Sequence, residues 1–288
     1  MFPGFEHGRY RTSETEIAYR KGGKGPPLLL LHGYPQTHVM WHKIAPALAG
    51  RFTVIAADLR GYGDSGKPAR EVCHTNYSKR VMAQDQVELM AGLGFDHFSV
   101  VGHDRGARVT HRMALDHAER IDKAAVLDIA PTLTMYEGTD VAFARAYYHW
   151  FFLIQPFDLP ERLIGADPHY YLERKLAAWS RKEDAFAPEA VAEYQRCFAD
   201  PATIQATCED YRAAAGVDLE HDRADGDRRI TAPLLVLWGG HGVVATTCDV
   251  LATWREKAED VRGKALDCGH FLPEEAPGET LKELLAFL

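Results

Sequence analysis

The stretch "VVGHDRGARV", Val100 to Val109, decides how the rest of the chain is read. An apolar run enters it, Gly102 and Gly106 flank one acidic residue, and a segment with helical spacing leaves it. Glycines on both sides let a strand turn sharply into a closely packed helix, and the central side chain is then pushed up at the carboxyl edge of a sheet. That side chain is Asp104. An aspartate here has two readings, as a helix N-cap or as a nucleophile, and the turn alone leaves them evenly balanced.

The surrounding sequence places the turn in a fold. "PPLLLLHG" (26–33), "FTVIAADLRG" (52–61), "FSVVGHD" (98–104) and "KAAVLDIAP" (123–131) are short apolar runs that read as strands, and stretches near 38–48, 79–93 and 105–117 between them have amphipathic helical spacing. Continuous apolar strands separated by helices imply a mostly parallel sheet covered on both faces. From 132 to 228 the chain is rich in aromatic residues and helix formers with no comparable strand, and "APLLVLWGG" (232–240) then resumes the pattern, followed by a helix near 248–258. Strands on both sides of the interruption favour one α/β core, 1–131 and 229–288, carrying a helical cap, 132–228, over two successive domains.

Composition limits the function. The chain has 288 residues, 46% of them hydrophobic, which suits a sizeable core. A formal net charge of −8 argues against a nucleic-acid partner. A small anionic substrate stays open, because a local arginine cluster outweighs the global sign. "MFPGFEHGRYRTSETE" holds no apolar core of signal-peptide length and no later run reaches bilayer-spanning length, so a cytoplasmic location without membrane attachment is expected. Five cysteines, odd in number and without C-x-x-C spacing, read as free thiols. No metal-ligand spacing is evident, and neither metal nor organic cofactor is expected.

Three further motifs shift the balance on Asp104. "LHGYP" (31–35) follows one strand, "DLRGYGDS" (58–65) follows the next, and "GHFLPEEAP" (269–277) sets His270 before the last helix. An isolated histidine is usually structural, but in this order it reads as the base of a catalytic triad. The strand ending "LWGGHGVV" has no acid where the third member is usually found, whereas "VLDIAP" ends in Asp128 at a strand's carboxyl end. Asp128 is therefore expected to orient His270, ahead of Asp249 and Asp267, which have no strand-end logic.

A carboxylate nucleophile suits attack on saturated carbon, where it forms an ordinary ester that activated water can cleave. That selects alkyl halides and epoxides. Arg105 directly follows the nucleophile and Arg108 stands three residues on, so both guanidinium groups can share a helix face and grip a carboxylate. A 2-haloacid is the substrate this pair suggests; a solvated surface role is the alternative for Arg108.

With "GHDRGAR", "YHW" (148–150) and "CEDYR" (208–212) in these places, the chain resembles the fluoroacetate (haloacetate) dehalogenases of the α/β-hydrolase superfamily, from "FPGFE" through "CEDYRAAAG" to "GHFLPEEAP". The resemblance implies an α/β-hydrolase fold with a helical cap and hydrolysis of haloacetate to glycolate and halide. It implies also that His149, Trp150 and Tyr211 donate hydrogen bonds to the departing halide, and that the backbone N–H groups of Tyr34 and Arg105 form an oxyanion hole. A homodimer is expected on the resemblance alone. Alone, "YHW" would read as an aromatic cluster of the cap. Two rivals remain. An epoxide hydrolase would use cap tyrosines, Tyr147, Tyr148 or Tyr211, as proton donors, and the arginine pair counts against it. A non-catalytic small-molecule receptor on this fold would be expected to have lost one of Asp104, Asp128 and His270.

Overall fold

Four of the apolar runs before the helical interruption and the one after it become neighbouring strands in the middle of one sheet. The computed structural model describes residues 1–288. Its strands are β1 (Glu6–Arg11), β2 (Glu16–Gly22), β3 (Pro27–Leu31), β4 (Thr53–Ala57), β5 (Phe98–His103), β6 (Ile121–Leu127), β7 (Leu234–Gly239) and β8 (Val261–Leu266). They lie in the order β1-β2-β4-β3-β5-β6-β7-β8. The β1/β2 and β2/β4 pairs are antiparallel and every pair from β4 to β8 is parallel. Leu28 to Leu31 of β3 and all of β4 are buried, which accounts for their unbroken apolar runs.

Two strands at the start and one at the end escape the sequence pattern. β1, "EHGRYR", is exposed or half-buried throughout and pairs only with β2, so nothing requires it to be apolar. β8, "VRGKAL", is the opposite edge, with only Leu266 buried. The stretch 38–48 is broken into a 3₁₀ turn, His38–Trp41, and a short helix, Ala45–Leu48, with Pro46 in its first turn, where a missing N–H costs nothing. The helix Arg105–Asp116 forms as expected but is not amphipathic in burial, since every residue from Arg105 to Leu115 is buried. Some of its charged residues are paired instead: Arg112 reaches Asp222 and Asp225, both at 2.7 Å, in the helical segment.

Between β6 and β7 the chain forms eight helices, from Thr132–Glu137 to Val217–Asp225, and no strand. Leu172, Tyr194, Phe198 and Tyr211 of this segment belong to the same cluster of 70 buried residues that contains β3, β5 and β6. The helical segment is thus packed onto the sheet rather than tethered to it.

The strand order fixes what surrounds Asp104. β5 lies between β3 and β6, with β7 beyond, so the carboxyl ends of these four parallel strands bring residues 32–35, 104, 128 and 240 to one edge. The turn itself leaves no space for side chains at its flanks. A Cβ on Gly102 would lie 2.4 Å from the Gly106 carbonyl and from Thr110 Oγ1, and one on Gly106 would lie 2.4 Å from the His32 carbonyl. Gly102→Ala and Gly106→Ala are each expected to destabilise the fold by about 1–3 kcal/mol, the usual cost of overpacking. A lower urea midpoint with an unchanged slope would register this; an unshifted midpoint would mean that the turn relaxes freely.

Candidate active site

Asp104 occupies the residue before the helix Arg105–Asp116, with φ 46° and ψ −114°. This conformation is unfavourable for an L-residue, by about 1–3 kcal/mol, and persists because the neighbours fix it. Its N–H donates to the Leu127 carbonyl at 3.1 Å, and the Gly106 N–H donates to the His32 carbonyl at 2.9 Å. The N-cap reading fails, because the Asp104 side chain accepts no hydrogen bond from its own helix. Instead Oδ1 accepts from the Tyr34 N–H at 2.8 Å. Burial works against the charge on Asp104, but His270, His103, Arg105 and Arg108 together hold its carboxyl below the ordinary value. The group is therefore an ionised, buried carboxylate.

His270 and Asp128 meet as expected. His270 Nδ1 lies 2.6 Å from Asp128 Oδ2, and Asp128 Oδ1 accepts from the Gly239 N–H at 2.9 Å. Asp128 also has positive φ, 54°, which turns its side chain back over the edge of the sheet. The alternatives are engaged elsewhere: Asp249 caps the helix Val250–Arg255, and Asp267 is exposed beside His241. With Nδ1–H facing Asp128, Nε2 of His270 is the free basic atom, buried without a protein partner. Burial alone would lower the His270 pKa, but the Asp128 hydrogen bond and the charges of Asp128 and Asp104 raise it above 6.5.

The two arginines differ in a way the sequence does not display. Arg105 was expected to offer a fork to substrate, yet that fork already holds Asp210: Nε to Oδ2 at 2.8 Å and Nη2 to Oδ1 at 2.7 Å. Nη1 alone is left buried without a partner. Lys79 and the Tyr62 hydroxyl bind the same Asp210 carboxylate. Arg108 is buried and not a solvated surface charge. Its Nη1 donates to the Ala130 carbonyl at 3.0 Å and to Thr132 Oγ1 at 2.8 Å, its guanidinium lies 4.7 Å from the centre of the Trp150 ring, and it has no carboxylate partner.

His149, Trp150 and Tyr211 converge from two separate helices, Tyr148–Phe152 and Pro201–Ala215. The His149 and Tyr211 rings are 5.6 Å apart, and Trp150 and Tyr211 are 6.5 Å apart. All three side chains are buried; His149 Nδ1 and the Tyr211 hydroxyl have no protein partner. Burial, assisted by the positive charges of Lys175, His270, Arg105 and Arg108, drives the His149 pKa well below 6.5, so the ring is neutral and carries one N–H. Burial pushes the Tyr211 phenol well above 10. No group of three His, Cys, Asp or Glu side chains converges as metal ligands, and all five cysteines are free thiols.

Sequence reading missed several participants. Trp179 packs against His149, ring centres 4.7 Å apart, and against His270 at 5.5 Å; nothing local marks it among the aromatic residues of the helical segment. Asp210 stands beside Tyr211 in "CEDYR", but no local signal joins it to Arg105. His103 sits under His270, its Nε2 2.8 Å from the His270 carbonyl.

An ionised carboxylate on a strand-to-helix turn, an aspartate at the end of β6 paired with a histidine in the loop after β8, and a backbone N–H on the carboxylate define a hydrolase of the α/β class. The chain belongs to the α/β hydrolase fold family, whose profile matches residues 26–277. It is 46% identical to the fluoroacetate dehalogenase of Burkholderia sp. over 289 aligned positions, covering 100% of this chain and 95% of that protein. It is 37% identical to the soluble epoxide hydrolase of Corynebacterium sp. (strain C12), covering 93% and 92% of the two chains. Among solved structures, an α/β hydrolase from Nostoc sp. PCC 7120 superposes with a TM-score of 0.99 at 63% identity, covering 100% of this chain and 99% of that one.

The three histidines around Asp104 should titrate apart. His270 should take up its proton above pH 6.5, whereas His103, pushed down to about 3 by burial and the His270 charge, and His149 should stay neutral near pH 6. Removing the carboxylate charge in Asp128→Asn should lower the His270 value. Nuclear magnetic resonance of ¹⁵N-labelled histidines reads all three; a His270 signal titrating below 6.5 in the unsubstituted protein would contradict the pair.

Proposed function

We propose that the chain is a haloacetate dehalogenase, converting fluoroacetate or a related haloacetate to glycolate and halide through an ester on Asp104, with residues 132–228 acting as the cap over a core of 1–131 and 229–288. The observation that carries the reading is the arginine pair beside the buried Asp104: one cation with no carboxylate in contact, Arg108, and one free N–H edge, Arg105 Nη1. A buried cation without a carboxylate is costly unless an anion completes it.

In this reading Arg108 and Arg105 hold the substrate carboxylate, and the halogen points toward His149, Trp150 and Tyr211. Oδ1 of Asp104 is held by the Tyr34 N–H, so Oδ2 attacks the α-carbon from the side opposite the halogen. The carbon–halogen electron pair leaves with the halide, which accepts hydrogen bonds from neutral donors. His270 Nε2 then removes a proton from water, and the hydroxide adds to Cγ of Asp104. Negative charge collects on Oδ1, against the Tyr34 N–H and the Arg105 N–H. Collapse expels glycolate, which takes its proton from His270, while Asp128 stabilises the imidazolium in between. The carboxylic acid left on Asp104 releases its proton to solvent, which restores the carboxylate and balances the halide.

Two relationships support the assignment at different levels. The 46% identity with a fluoroacetate dehalogenase favours it; the 37% identity with an epoxide hydrolase keeps that activity as the second reading, since a carboxylate nucleophile can open an epoxide through an ester as well. Fluoride or chloride release from haloacetates, set against diol formation from an epoxide, separates them. His270→Ala should accumulate a carboxymethyl adduct by intact mass, and Asp104→Asn should form none. Halide turnover by His270→Ala without an adduct would remove the ester from the mechanism.

The arginine assignment has its own test. Arg108→Leu should lower kcat/KM for haloacetate by roughly ten- to a hundredfold, from a charge-assisted contact of about 1.5–3 kcal/mol. Turnover of a neutral epoxide, where any is found, should be little affected. Equal losses on both substrates would mean that Arg108 maintains the pocket and does not read the carboxylate.

A further inference from the structure

Glu275 lies outside the proposed chemistry, five residues beyond His270, and is only 4% exposed. Such a carboxylate normally needs a cation, yet its side chain takes part in no ion pair, and its partners are three backbone amides. Oε1 accepts from the Phe271 N–H at 2.8 Å. Oε2 accepts from the Gly269 N–H at 2.9 Å and from the Arg181 N–H at 2.7 Å. The first two amides flank His270 on either side. The third belongs to the helical segment 132–228. The amide between them, that of His270, donates to the Trp179 carbonyl at 3.0 Å, so all three peptide N–H groups of the 269–271 turn are held.

The junction is built closely around this carboxylate. A Cβ on Gly269 would fall 2.5 Å from the Trp179 carbonyl and 3.0 Å from the Arg181 nitrogen, so a glycine is needed for the turn to touch the helical segment. Lys182 Nζ donates to the Glu275 carbonyl at 2.8 Å, and Arg181 Nε to the His241 carbonyl at 3.1 Å. Trp179, two residues before Arg181, packs against both His270 and His149. A capping role for the short helix Leu272–Glu275 would account for the Phe271 contact only. It leaves the contacts to Gly269 and Arg181 unexplained.

We infer that Glu275 is a positioning residue for the second chemical step: it ties the turn carrying His270 to the helical segment, so that the imidazole that activates water is correctly placed only when that segment is seated. The inference rests on the two-step reading above. Asp104, its Tyr34 contact and the arginines lie on other elements. The halide donors His149, Trp150 and Tyr211, although in the helical segment, are packed against one another and share no hydrogen bond with Glu275, so ester formation is expected to depend on Glu275 far less than hydrolysis does. Ester hydrolysis depends on it because it requires Nε2 of His270 to be aimed at a water beside Cγ of Asp104.

The test is a single-turnover measurement with chloroacetate and fluoroacetate on the full chain, following the adduct on Asp104 by quenched intact mass, for the unsubstituted protein, His270→Ala, Glu275→Gln and Glu275→Asp. The glutamine variant preserves shape but sets an NH₂ against an amide N–H; the aspartate variant keeps the charge and shortens the reach. Ester formation should stay within about twofold of the unsubstituted rate, while hydrolysis slows roughly ten- to a hundredfold, the scale of a slightly misplaced catalytic group. The adduct then becomes the predominant species in steady state. In Glu275→Gln the acid limb of hydrolysis should also move to lower pH, because one negative charge near the imidazolium is gone. The other groups facing His270, namely Asp128, Asp104, His103 and His149, are unchanged, and in Glu275→Asp the limb should stay in place. Parallel loss of both steps, or an unchanged hydrolysis rate, would overturn the inference while an adduct on His270→Ala keeps the two-step reading. No adduct on His270→Ala with either substrate would overturn the reading and the inference with it.

Discussion

The strained turn at Asp104 is held by its neighbours, and the rest of the site is arranged around the same close approach. A Cβ on Gly33 would lie 2.5 Å from the Asp104 Cβ, and one on Gly106 2.5 Å from the Leu31 carbonyl. The loop after β3 therefore presses directly onto the turn after β5, and this brings the Tyr34 N–H to Asp104 Oδ1 without any side chain to place it. On the other side, the Asp104 N–H is fixed to the end of β6 at Leu127, and the next residue of that strand's exit is Asp128. A polar network supported by backbone in this way is fully assembled before substrate arrives, which is what electrostatic catalysis demands.

Charge is distributed unevenly over the site, and the imbalance carries functional information. Asp210 sits between Arg105 and Lys79, and Asp218 lies 3.5 Å from the same lysine. That group is close to neutral internally and functions as a strut for the Arg105 guanidinium, which also stacks 4.1 Å from the Tyr211 ring centre. Arg108 is different: its partners are a carbonyl, a hydroxyl, a thioether and an aromatic face. In a chain of net charge −8, a buried cation with neutral partners beside the ionised Asp104 is, in the proposed reading, what draws in an anionic substrate. The same anion would otherwise be repelled by Asp104.

The parts of this arrangement that were legible in the sequence share one property: each is imposed by backbone geometry. The five central strands are apolar because both faces are covered, Gly102 and Gly106 because the turn has no room, and Asp128 and His270 stand at ends of elements whose order the pattern reveals. β1 and β8 were not legible, because edge strands need not be apolar. Nor was the identity of Arg105's partner, because the Arg105–Asp210 contact joins residues 105 positions apart and no local pattern records it. Trp179 is the plainest case. Its importance comes from facing both His149 and His270, and one tryptophan in an aromatic-rich helical segment announces nothing about what it faces.

Protonation distinguishes the two chemistries that an aspartyl ester allows. An epoxide oxygen leaves as an alkoxide and needs a proton from an acid, whereas a halide leaves as a stable anion and needs only hydrogen bonds. Tyr211 and Tyr147 are both buried, and burial raises both phenols well above 10, so both are protonated and able to donate hydrogen bonds to either leaving group. Tyr148, the third tyrosine considered, is half exposed with its ring 3.7 Å from Lys175 Nζ. His149 is held neutral by burial, assisted by the cations around it, so it offers an N–H to an anion. Neutral donors of this kind are suited to solvating a departing halide. The arginine pair, rather than the tyrosines, is therefore what supports the proposed haloacetate over a neutral epoxide.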